Sequence, residues 1–112
     1  MRRAAAMRER NGMASDFWLV VGLGNPGKQY EGTRHNMGFM AADVLAERWS
    51  VNFSDHKGIA MLGKGVMNLQ GKSIKFFLAK PLTYMNESGT AVASISSYYQ
   101  IPPEHVVVIH DD

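Results

Sequence analysis

The sequence predicts an α/β sandwich built on a mixed sheet. Apolar, β-branched runs stand near both ends of the chain. Between them lie two segments of helical period and one hairpin pattern. A strand, helix, hairpin, helix, strand order places helices against a sheet with both parallel and antiparallel pairs.

Phe17 to Val21 is a short apolar run ahead of glycines and reads as a buried strand. Gly27 to Arg34 has no period, so it reads as a loop. Met37, Met40, Ala41, Val44, Leu45 and Arg48 or Trp49 then follow helical spacing, with Asn36 as a suitable N-cap. Two strands are expected near 58–66 and 73–79, joined by Asn68-Leu69-Gln70-Gly71-Lys72 as an antiparallel hairpin. Lys80-Pro81 should not continue a central strand, because proline lacks a ladder donor. A second helix carries Ala91, Val92, Ile95, Tyr98 and Tyr99 on one face, with Ser88 or Asn86 as cap and Pro102-Pro103 as its end. Val106 to Ile109 reads as a strand buried on both faces. His110-Asp111-Asp112 closes the chain.

Composition limits the chemistry. The 112 residues suffice for one modest domain, with 46% hydrophobic and 20% charged residues. The chain has no cysteine, which excludes disulfides, thiolate zinc sites and a cysteine nucleophile. No apolar run approaches the roughly 20 residues of a membrane helix. The sequence pI is about 9.0. Yet four arginines against Glu9 give residues 1–12 a charge of +3, and the whole chain is only +2, so residues 13–112 carry −1. The basic balance sits in the leader, and the body shows no strong nucleic-acid footprint. Residues 1–15 are expected to be a disordered extension. The Arg/Ala-rich leader reads as a solvated tail, or as translation from upstream of Met13, with an organellar transit peptide as the alternative.

The run from Val20 to Gly27 holds G-x-G-x-x-G. A dinucleotide fingerprint needs its helix to open at those glycines. Here Pro26 interrupts the motif and the helix opens only near His35, so a strand-terminating turn is preferred. His35 is the best general-base candidate. The positive end of the helix disfavours its imidazolium, and a carboxylate such as Asp111 would fix its tautomer and orientation. The plainer reading is a helix-start histidine without chemistry. His110-Asp111-Asp112 admits a metal-ligand reading, although no His-x-x-x-His pair supports it. No G-x-S-x-G elbow points to a serine nucleophile. Tyr30, Tyr84 and Met85 could stack on a base or sugar, or close the core beneath their loops. Lys28, Arg34 and Lys80 could pair with phosphate, or simply solvate the surface. Asn25, Asn86 and Asp111 each follow an expected strand. If those strands run parallel, the three residues share one rim, where open α/β sheets bind ligands.

Val-Gly-Leu-Gly-Asn-Pro-Gly (21–27), Tyr30, Thr-Arg-His-Asn (33–36), Lys-Pro-Leu-Thr-Tyr-Met-Asn-Glu-Ser-Gly (80–89) and His-Asp-Asp (110–112) together resemble bacterial-type peptidyl-tRNA hydrolase. The resemblance runs from about Phe17 to the end. It implies a three-layer α/β/α sandwich with a mixed central sheet, incomplete in this chain, with 16–112 as the N-terminal part of a single domain. It implies hydrolysis of the ester between peptide and tRNA after stalled or aborted translation, which recycles the tRNA. By resemblance, His35 activates water, Asp111 stabilises the useful state of His35, and Asn25 sits by the ester. Tyr30, Tyr84 and Asn86 contact the tRNA acceptor end, and Met85 lines the pocket. No metal or organic cofactor is implied. The implied setting is a cytoplasmic monomer that meets peptidyl-tRNA, with the 50S ribosomal subunit as a further partner and no membrane.

Family members continue past the position of Asp112, and they more usually carry His-Asp-Glu where this chain has His-Asp-Asp. The continuing part would add strands, a glycine-rich loop with another asparagine, a C-terminal helix and basic residues. Without it, Val106–Ile109 would lack a neighbour or covering layer, at roughly 1.5–3 kcal/mol per exposed apolar side chain. The 112-residue chain alone is therefore expected to be unstable or aggregation-prone, and weak or inactive. A truncated or frameshifted reading frame is the preferred explanation of the early stop. The alternatives to an enzyme are an inactive fragment and a tRNA- or nucleotide-binding module.

Overall fold

A computed structural model describes residues 16–24, 36–83 and 87–110. The expected extension over residues 1–15 lies outside the described residues. The chain forms β1 (Trp18–Gly22), α1 (Met37–Arg48), β2 (Ser54–His56), β3 (Ala60–Leu69) and β4 (Lys72–Pro81). It continues through α2 (Ser88–Tyr98), a 3₁₀ turn (Pro103–His105) and β5 (Val106–Ile109). The strand order is β2-β3-β4-β1-β5. β1 runs parallel to β4 and β5, while β3 is antiparallel to β2 and β4.

Alternation along the strands sorts the core into two clusters. Leu19, Val21, Ala60, Leu62, Phe77 and Ala79 pack with Ile95 of α2 and with Ile101. The neighbouring positions Phe76 and Leu78 pack with Ala42 and Ala46 of α1 and with Val51, joined by Trp18 and Val20. Successive strand side chains point to opposite faces, so the two helices cover opposite faces of the sheet. The result is the expected three-layer α/β/α sandwich. Leu19, Phe76 and Leu78 are fully buried, and each such side chain contributes about 1.5–3 kcal/mol relative to exposure.

The hairpin is longer and its turn tighter than the sequence suggests. β3 and β4 are ten residues each and pair through Leu69↔Lys72. Gln70 (φ 51°) and Gly71 (φ 80°) both take the left-handed region. That is the two-residue type I′ turn, whose twist matches the flanking strands. β4 is central, and Pro81 is its last residue, paired with Ala60. The missing N–H falls where the ladder ends, which is how a proline is accommodated there. β2 and the 3₁₀ turn carry no sequence pattern and are new.

The buried face of α1 differs from the expected one. Its buried residues are Gly38, Ala42 and Ala46. Met37, Met40 and Val44 are 51%, 41% and 63% exposed. Leu45 and Trp49 of the expected face do pack against the α1 cluster, and close packing explains why the rest turn outward. A Cβ on Gly22 would collide with the Gly38 carbonyl and lie 2.9 Å from the Ala42 Cβ. The helix backbone rests on the strand, so only small residues fit between them. Met40→Gln with Val44→Lys is therefore expected to change stability by no more than about 0.5 kcal/mol. A loss of several kcal/mol in a urea melt would return these residues to the core.

Both helices stop without glycine. Ser50 and Gln100 adopt φ 57°. Val51 N–H then donates to Ala46 O, and Ile101 N–H to Ser96 O, each at 2.8 Å. These are Schellman endings whose following apolar residue enters the core. The start signals are weaker than expected. Asn36 occupies the N-cap of α1 without a side-chain cap bond. α2 is preceded by Glu87, and Ser88 is already its first helical residue. Asn86 lies outside the described residues. Tyr98 is 60% exposed and leaves the predicted apolar face. β5 has a strand neighbour on one side only among the described residues. Val107 and Val108 are each 43% exposed, so burial on both faces is not met.

Candidate active site

The carboxyl ends of β4, β1 and β5 lie on one rim, because the three strands run parallel. The rim is closed by Leu23 N–H donating to Ile109 O at 2.9 Å. The chain leaves the described residues there at Gly24, Thr83 and His110, and returns at Asn36 and Glu87. Open parallel sheets bind ligands at such a rim.

The flanks converge closely. A Cβ on Gly24 would lie 2.8 Å from Asn36 Oδ1 and 2.7 Å from the Phe39 ring. A Cβ on Gly38 would strike the Leu23 backbone and lie 2.5 Å from Ile109 O. The end of β1, the start of α1 and the end of β5 are therefore in contact. Leu23 and Ser88 line one apolar groove of about 390 Å³ with Val92, Ile101 and Val108, which brings the start of α2 alongside. Thr83 Oγ1 and Ser88 Oγ are buried with no hydrogen-bond partner among the described residues. They stand on either side of segment 84–86.

The expected site residues Asn25, Tyr30, His35, Tyr84, Met85, Asn86 and Asp111 lie outside the described residues, as do Lys28, Arg34 and Asp112. Lys80 is described and pairs with an acid of α1. Its Nζ lies 2.7 Å from Asp43 Oδ1 and 4.6 Å from the Phe53 ring centroid. That charge ties β4 to α1.

Two histidines escaped the sequence reading. His105 stacks on Trp18 at 4.3 Å, with its Nδ1 3.2 Å from Phe17 O. His56 is buried in the polar strand β2, and its Nε2 has no partner among the described residues. Neither stands in a motif, so only the fold reveals them.

The family profile for peptidyl-tRNA hydrolase matches residues 19–112. The chain belongs to the peptidyl-tRNA hydrolase family. Over 100 residues it is 85% identical to the peptidyl-tRNA hydrolase of Bifidobacterium adolescentis, covering 89% of this chain and 50% of that protein. The Bacillus anthracis peptidyl-tRNA hydrolase is 49% identical over 94 residues, covering 84% and 48%. A crystal structure of peptidyl-tRNA hydrolase from Acinetobacter baumannii superposes with a TM-score of 0.73 at 40% identity, covering 87% of this chain and 48% of that one. The chain thus spans about half the length of the peptidyl-tRNA hydrolases it matches. No helix among the described residues is long and apolar enough to cross a membrane.

Proposed function

We propose that this chain serves hydrolysis of the ester that joins a peptide to the terminal ribose of tRNA. The supporting observation is the contact of Gly24 with Asn36 and of Gly38 with Leu23 and Ile109. Gly24 and Asn36 directly adjoin Asn25 and His35, and Ile109 lies two residues before Asp111.

In this reading His35 takes a proton from water as the water oxygen bonds to the ester carbonyl. The bond from carbonyl carbon to ribose oxygen then breaks, and His35 returns the proton to the leaving ribose oxygen. Such a base contributes about 10²–10⁴-fold. The neutral amides of Asn25 and Asn86 donate to the developing oxyanion, and one such donor is worth about 10²–10³-fold. Asp111 orients His35. Tyr30, Tyr84 and Asn86 hold the acceptor end, and Met85 lines the pocket. The reaction recycles tRNA from stalled or aborted translation in the cytoplasm. The enzyme acts as a monomer, with the 50S subunit as a further partner.

A chimera tests the reading without depending on the length of this chain. The 100 matched residues of this chain replace their counterpart in the Bifidobacterium adolescentis protein, and peptide release from an N-blocked aminoacyl-tRNA is measured. Multiple turnover is expected. A folded chimera that releases no peptide would sink the proposal.

A further inference from the structure

Between Asp55 and Glu87 the chain has five lysines and no acidic residue, although its formal net charge is only +2. This stretch is mainly the β3–β4 hairpin. Lys80 is neutralised by Asp43. Lys57, Lys64, Lys72 and Lys75 form no ion pair among the described residues.

Three of these cations gather on one face with a row of rings. Phe17 stacks on Phe77 at 4.8 Å, Phe77 meets Tyr99 at 4.2 Å, and Tyr99 meets Tyr98 at 4.8 Å. Lys64 Nζ and Lys75 Nζ lie 5.7 and 5.3 Å from the Phe17 centroid, and Lys57 Nζ lies 4.4 Å from that of Tyr98. Phe17, Lys64, Val66 and Lys75 line a shallow groove of about 340 Å³. Two ammonium groups held over one ring repel each other, and the ring quadrupole returns only about 0.5–1 kcal/mol per exposed cation. An external anion relieves that repulsion. Of the nearby acids, Asp55 accepts from the Gly58 amide, and Asp16 adds one exposed charge beside Phe17.

We propose that this face, built by Lys57, Lys64, Lys75, Phe17 and Tyr98, docks the phosphate backbone of RNA. The inference rests on the reading of the substrate as a tRNA ester, and adds a contact on the sheet face that packs against α2, reaching from β3 and β4 to the start of β1. A polyanion fits the spacing of several separate cations better than a single small anion. Lysines over aromatic rings are a recurrent way to hold a nucleic-acid strand.

The test is tRNA binding by the folded chimera, followed by anisotropy across a salt series. Each neutralised phosphate adds roughly one unit to the slope of log affinity against log salt. Lys64→Gln with Lys75→Gln is expected to flatten that slope by about two, and to weaken binding roughly 10- to 100-fold near 0.1 M salt. Lys64→Arg with Lys75→Arg should restore it, and Arg48→Gln on α1 should leave it unchanged. In the chimera without further substitution, tRNA should protect Lys64 and Lys75 from acetylation, a readout independent of any variant. Unchanged affinity in the Gln pair, no protection, no tRNA binding, or equal competition by anionic phospholipid vesicles would each overturn the docking face. Peptide release by the chimera is a separate measurement, so a failed docking face leaves the hydrolysis reading standing.

Discussion

Gly38→Ala is expected to destabilise the fold by about 3 kcal/mol, at the upper end of ordinary overpacking. The added methyl meets Leu23 backbone atoms and Ile109 O at 2.5 Å. These are parts of two strand ends, so no side-chain rotation relieves the clash. Total stability is commonly about 5–15 kcal/mol, so the loss is a large fraction of it. In the chimera, about twice as long as the matched stretch, it corresponds to roughly 6–12 °C in melting temperature. Gly89→Ala is the matched control. Nothing lies within 4 Å of a Cβ there, so the change should be neutral or stabilise by up to about 1 kcal/mol. Thermal melts of both variants in the chimera measure the contrast. Equal melts would mean that α1 does not rest on β1 as described. The same clash would push the start of α1 off the rim, so peptide release should fall along with stability.

That close approach also explains which parts of the fold were legible in the sequence. β1 could be read because Leu19 and Val21 are large, apolar and central. The inner face of α1 could not, because helical periodicity weights large apolar residues. Here the contact selects Gly38, Ala42 and Ala46 by size, and sends Met40 and Val44 outward. The middle of β3 was read in spite of a similar rule. Gly63 and Gly65 break its apolar pattern, yet Val51 packs directly over both. The polar edge strand Ser54–His56 has neither length nor alternation to signal it. The Schellman endings at Ser50 and Gln100 lack the glycine by which such endings are recognised.

The rim was legible for a different reason. It required only that the strands before Asn25, Asn86 and Asp111 run parallel, and the register of β1 with β4 and β5 meets that condition. The lysine face was hidden by averaging. Summed over residues 13–112 the charge is −1, which conceals an acid-free stretch with five lysines. Rings and cations that are distant in sequence, such as Phe17 and Lys75, meet only through sheet pairing.

His35→Ala in the chimera is expected to lower kcat for peptide release by about 10²–10⁴-fold, the usual contribution of a positioned base. Residual turnover should persist from oxyanion donors and substrate positioning. The KM should change little, because the proposal gives acceptor-end binding to Tyr30, Tyr84 and Asn86. Asp111→Asn should cost less, since a group that orients a base acts only through that base. The double variant is then the sharp measurement. If Asp111 works through His35, removing both should cost no more than removing His35 alone. Independent losses that add in free energy would separate the two residues and assign Asp111 a contact of its own with substrate. Turnover within about threefold of the parent in His35→Ala would remove the base from the proposal altogether. The contacts among Gly24, Asn36, Leu23, Gly38 and Ile109 make non-additivity the expected result. They hold Gly24 next to Asn25, Asn36 next to His35, and Ile109 two residues before Asp111 on the same rim, and residues that act as one unit should fail as one unit.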